Sequence, residues 1–116
     1  MIFAQLGKPM FNGSVLLVPG TLSGVVYTPV TGSWSDVYSI VITTNETAVR
    51  TVTISDGTTT LTYFVGGGTG GANPPVLDQG TTPVRFKAGT AITVTVAAMT
   101  AATTIAVNVR GLVSKT

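Results

Sequence analysis

The sequence contains no cysteine and no histidine. That removes disulfides, thiolate chemistry, imidazole metal ligands and the commonest general base. Charge is scarce too: only 9% of the 116 residues are charged, six Lys and Arg against four Asp and Glu. A soluble surface ordinarily carries about a quarter to a third charged residues. The six cations form no run, so the cluster that electrostatic nucleic-acid binding requires is missing. No apolar run approaches the roughly 18 residues of a membrane helix. The start, MIFAQLGKPMF, carries a single Lys and lacks the long apolar core of a secretory signal. These absences lead us to expect a soluble product made in the cytoplasm, with no nucleic-acid partner and no membrane partner.

What is present is strand. From Asp36 to Val65 the chain reads DVYSIVITTNETAVRTVTISDGTTTLTYFV, three runs separated by two short turn signals. Successive side chains of a strand point to opposite faces, so a buried face appears as period-two apolar residues. Tyr38, Ile40 and Ile42 alternate with Ser39 and Val41; Val52 and Ile54 with Thr51, Thr53 and Ser55; Leu61, Tyr63 and Val65 with Thr62 and Phe64. Asp56-Gly57 is a tight-turn dipeptide and predicts that the second and third runs pair as a hairpin. Asn45-Glu46-Thr47 suits either a hairpin or a crossing between sheets.

Upstream, SVLLV from Ser14 and SGVVYTPV give two more strands, with Pro29 marking an edge or a bulge. Downstream, PVRFK, AITVTV and TIAVNVRGLV give three. The Ala-rich AAMTAATT joins the last two and is able to form a helical turn. GGGTGGANPP is a loop, and without a following helix and Lys it is no phosphate cradle. The expected fold is all-β, an antiparallel β-sandwich or jelly roll with about eight strands. Residues 1–13 are read as an extended N-terminal arm and residues 14–116 as one domain. The arm carries Ile2, Phe3, Leu6, Met10 and Phe11, candidate anchors for a neighbouring subunit.

A search for catalysis finds little. On this reading Asp36, Glu46, Asp56 and Asp78 each fall at a strand end or in a turn, and the hydroxyls have no histidine to activate them. No acidic loop has calcium spacing. We expect a non-enzyme without a cofactor or metal. Arg85 and Lys87 share a strand parity and form the remaining candidate contact. The uncharged, Thr-rich surface fits association with copies of itself or with a neighbour; a stable domain covered by hydroxyls is the alternative.

The C-terminal two-thirds resembles small virion proteins of tailed bacteriophages, namely capsid decoration or cement proteins and head-fibre modules with β-sandwich folds. The resemblance lies in TNETAVRTVTISDGTTTLTYFV, in the Pro-rich loop before PVRFKAG, and in the closing pair TAITVTVAA and TIAVNVRGLV. It implies a structural protein on the capsid surface, bound to the major capsid protein and acting as an oligomer, a trimer in particular. It implies further that the arm and the glycine-rich loop contact capsid or sister subunits. A fibre module presenting Trp34, Tyr27, Tyr38 or Tyr63 to a host glycan is the competing expectation. For the virion reading, deletion of Met1 to Asn12 is expected to leave the domain folded while weakening oligomerisation or attachment.

Overall fold

In a computed structural model, residues 10–67, 76–78 and 83–115 are described. They form nine strands: β1 (Met10–Leu17), β2 (Ser23–Tyr27), β3 (Ser33–Thr44), β4 (Val49–Ser55), β5 (Thr60–Gly66), β6 (Val76–Asp78), β7 (Val84–Phe86), β8 (Ile92–Val96) and β9 (Ile105–Lys115). No helix occurs among the described residues. One sheet runs β1-β9-β3-β6, with β7 also on β3; the other runs β2-β8-β4-β5, and every pairing is antiparallel. β6 lies opposite Ser39–Val41 and β7 opposite Ser35–Val37, so the two short strands share a single position. Nine strands thus occupy eight positions. The chain passes from sheet to sheet at every connection except the β4–β5 hairpin and the β6–β7 link, whose two strands both pair with β3. The sandwich of about eight strands is as expected, and its strand order, which the strand count leaves open, is that of a jelly roll.

The core follows the period-two rule. Leu17, Ile40, Ile42, Val52, Ile54, Val65, Phe86, Ile92, Val94, Val96, Ile105, Val107 and Val109 all turn inward. One departure is instructive. Val37 pairs with Gly111 and Ser39 with Arg110, so Tyr38 is an extra residue in β3. A bulge of this kind reverses the parity of everything before it. Val37 therefore joins Ile40 and Ile42 in the core, whereas Tyr38, expected on their face, is buried separately against Leu112.

β1 begins at Met10, so Met10, Phe11 and Asn12 belong to the sheet and not to an arm. The reason is that Phe11, Gly13, Val15 and Leu17 share one parity, a pattern that the glycine conceals in the sequence. The Phe11 ring stacks on Tyr27 of the other sheet, with centroids 4.2 Å apart and planes 17° from parallel. Room for that ring comes from its cross-strand partner Gly111, where a Cβ would stand 2.8 Å from Phe11 Cε1. At this margin the two sheets nearly touch: a Cβ on Gly13 would lie 2.1 Å from the Val26 carbonyl oxygen.

Replacing Gly13 by Ala must then push β1 and β2 apart, and overpacking of this kind costs about 1–3 kcal/mol. Chemical denaturation of Gly13→Ala should show a loss of that order. An unchanged midpoint would mean that the seam is looser than described.

Candidate functional site

The sequence offers few groups able to do chemistry, and the structure shows where most of them are used. Asp36 lies within β3, not at a strand end as the sequence reading placed it, because β3 starts at Ser33. Its carboxylate accepts Arg85 Nε at 2.6 Å, Arg85 Nη2 at 2.9 Å and the Ser114 hydroxyl at 2.7 Å. One buried group therefore fastens β7 and β9 to β3. The Asp36 hydrogen bonds raise the Arg85 pKa above its ordinary value, against the opposing effect of burial. The guanidinium also sits 5.3 Å from the centroid of the Trp34 ring, a cation–π distance.

Glu46 closes one end of the sandwich. It connects β3 in one sheet to β4 in the other, which settles that Asn45-Glu46-Thr47 crosses between sheets. Its side chain is fully buried. It accepts the Thr100 N–H at 3.0 Å, the Thr103 hydroxyl at 2.9 Å and the Thr100 hydroxyl. Arg50 Nε approaches to 3.5 Å. Around it, the Thr44 hydroxyl donates to the Thr104 carbonyl, Asn45 Oδ1 accepts the Thr104 N–H, and the Glu46 carbonyl accepts the Gly67 N–H. The Ala-rich segment is accordingly a turn, with the Thr103 N–H bonded to the Thr100 carbonyl. Burial pushes the Glu46 carboxyl up, but the Thr100 and Thr103 hydrogen bonds and the Arg50 charge outweigh it and bring the pKa down to about 2.

Asp56 does the same work at the opposite end. It accepts the N–H groups of Thr58 at 2.8 Å, Thr59 at 2.7 Å and Lys87. Burial again raises its pKa, and these backbone bonds lower it further than burial lifts it. Three of the four carboxylates are thus structural clamps, each collecting several donors from separate segments. Among the described residues no group of three or more His, Cys, Asp or Glu is placed to hold a metal.

The expected contact residues divide. Ile2, Phe3 and Leu6 lie outside the described residues. Met10 is exposed, and Phe11 is spent in the core stack. Arg85 is half exposed but held by Asp36, and Lys87 is exposed. Sequence reasoning missed the Glu46 hub because its partners stand 54 to 57 residues away and no local pattern announces them. What remains open to a partner is surface. Along the outward side of the second sheet, Ser23, Thr95, Thr53 and Thr62 form one cross-strand row, and Val25, Thr93, Ser55 and Thr60 the next. Among the described residues, Met10, Leu16, Val25, Val30, Val49 and Phe64 are the large exposed apolar side chains.

Because its folded pKa is depressed, Glu46 contributes stability that is complete above about pH 4.5 and is lost as pH falls toward 2. Glu46→Gln should cost about 2 kcal/mol near neutral pH and flatten the acid limb of a stability–pH curve. Parallel acid limbs in the two proteins, measured by urea denaturation at stepped pH, would contradict the clamp.

No protein-family model matches this chain, and no curated protein does. Three chains of solved structures match it. One is in the capsid asymmetric unit of cyanophage Pam1, with a TM-score of 0.53 and 17% identity, over 93% of this chain and 84% of that one. At that identity the similarity is one of fold.

Proposed function

We propose that this chain is a non-enzymatic structural protein of a bacteriophage virion, made in the host cytoplasm, that binds and stabilises the capsid from its outer surface as a decoration or cement protein. The observation that carries the reading is the jelly-roll likeness to a chain of the cyanophage Pam1 capsid over nearly the whole length of both. The structural engagement of Asp36, Glu46 and Asp56 supports it, since it leaves no pair of free carboxylates among them for hydrolysis. A surface of hydroxyls and scattered apolar groups fits repeated contacts with other subunits. A cement protein binds the assembled lattice and not its free parts, so mass action favours assembly, and many copies add through symmetry. In this reading the major capsid protein is the partner, and the chain acts as an oligomer, a trimer at subunit junctions.

The aromatic residues favour this over a glycan-binding fibre module. Tyr38 is buried, Tyr27 is covered by Phe11, Tyr63 packs against the core, and Trp34 carries the Arg85 guanidinium. No open aromatic platform remains among them.

Purified chain added to heads of its own virus that lack it should cosediment with them and raise their melting temperature. Because Phe11 belongs to the core, the arm is best tested by deleting residues 1–9 alone, which should preserve the fold and weaken head binding about tenfold or more. Failure of the complete chain to bind or stabilise heads would sink the reading.

A further inference from the structure

The margins of the sandwich are guarded unequally. Where β1 and β2 end their sheets, the Gly13–Val26 approach and the Phe11–Tyr27 stack close the gap, and β2 carries a register shift. The far margin of the first sheet is broken into β6 and β7, and β7 bears Arg85. Short strands, bulges and charges are the usual devices that stop an edge from pairing with another chain. β5 has none of them. Its seven residues, TLTYFVG, include no charge and no proline, and they pair with β4 without a shift.

Among the described residues β5 pairs only with β4. The Asp56 N–H bond to the Thr59 carbonyl sets the phase of that ladder. By alternation, Leu61, Tyr63 and Val65 turn their backbone groups to β4, while Thr60, Thr62 and Phe64 turn theirs to the open side. Phe64 is 72% exposed, the most of any large apolar residue described.

We propose that β5 is where a second copy of this chain joins, antiparallel and edge to edge, about a two-fold axis through Tyr63. The strand is self-complementary in that register. Leu61 meets Val65 of the second copy and Tyr63 meets its counterpart on the inward face, while Thr62 meets Phe64 on the outward face. The hydrogen-bonding groups of Thr62 and Phe64 then face each other across the axis. No like charges oppose the approach, since Thr51, Thr53, Ser55, Thr60, Thr62, Thr93 and Thr95 on the adjoining outward surface are all uncharged. The contact is isologous, so it closes after two copies and doubles whatever unit other surfaces build. The inference goes beyond the capsid reading and does not rest on it.

The test is sedimentation and light scattering of the full chain over a concentration series, beside the double variant Thr62→Lys/Phe64→Lys. Wild type should show a reversible doubling of mass. The variant, whose replaced side chains point to solvent, should keep its circular dichroism and melting point and associate at least tenfold more weakly. As a second measurement that needs no variant, hydrogen exchange at the Thr62 and Phe64 amides should slow with wild-type concentration while Leu61 and Tyr63 stay constant. Equal association by wild type and variant, or a wild type that shows neither doubling nor concentration-dependent protection at these amides, would overturn the proposal.

Discussion

Everything in this fold depends on burying a very small number of charges where they can each satisfy several donors at once. A carboxylate taken out of water is costly unless hydrogen bonds replace its hydration, and an N–H or hydroxyl left without an acceptor carries a penalty of its own. Glu46 and Asp56 resolve both problems together at the two ends of the sandwich, and Asp36 does so on its flank. The sheets supply apolar area. Glu46 and Asp56 supply closure between segments that no ladder joins, while Asp36 reinforces the ladders that β3 makes with β7 and β9, and together they explain how a chain with so few ionic groups holds its loops.

The same economy shapes the surface. With Asp36, Glu46 and Asp56 buried, the outward side of the second sheet is left mainly to threonine and serine, some bonded to each other across strands, as Ser23 is to Thr95 and Ser55 to Thr60. Hydroxyls keep such a face wet without giving it a sign. A neutral face of this kind neither steers nor repels a charged partner, so selectivity toward neighbours falls to shape, to backbone edges and to isolated apolar side chains such as Phe64. That is the texture of a protein suited to standing among many copies of its neighbours.

Much of the architecture was legible in the residues, because strand periodicity and turn chemistry are local. The Asp56-Gly57 hairpin, the all-β class and the eight positions follow from patterns a few residues long. What escaped was whatever depends on one added residue or on distant partners. The bulge at Tyr38 changes no composition, yet it moves Val37 into the core and Tyr38 out of it. The start of β1 hides behind Gly13, which reads as a break until the close approach of Val26 is seen. β6 has only three residues, too few to display a period. Asp36 finds Arg85 and Ser114 49 and 78 residues away. For the candidate contacts the sequence marked Arg85 and Lys87 as exposed neighbours in β7 and just beyond it; it gave no sign that Arg85 is fastened by a carboxylate from another strand.

The order β1-β9-β3 also bears on how the molecule comes into being. Of the nine described strands β9 is synthesised last, yet it lies between the first and the third. Among the described residues β1 has no other partner in its sheet, so the growing chain must carry β1 unpaired through the synthesis of nearly a hundred residues. In the second sheet β2 likewise has no partner until β8 emerges, and the Glu46 clamp waits on Thr100 and Thr103 between β8 and β9. Pairing of β1 is therefore non-local and waits on the synthesis of β9, which makes for slow folding. The eleven residues of β9 thus decide whether β1 has anywhere to go.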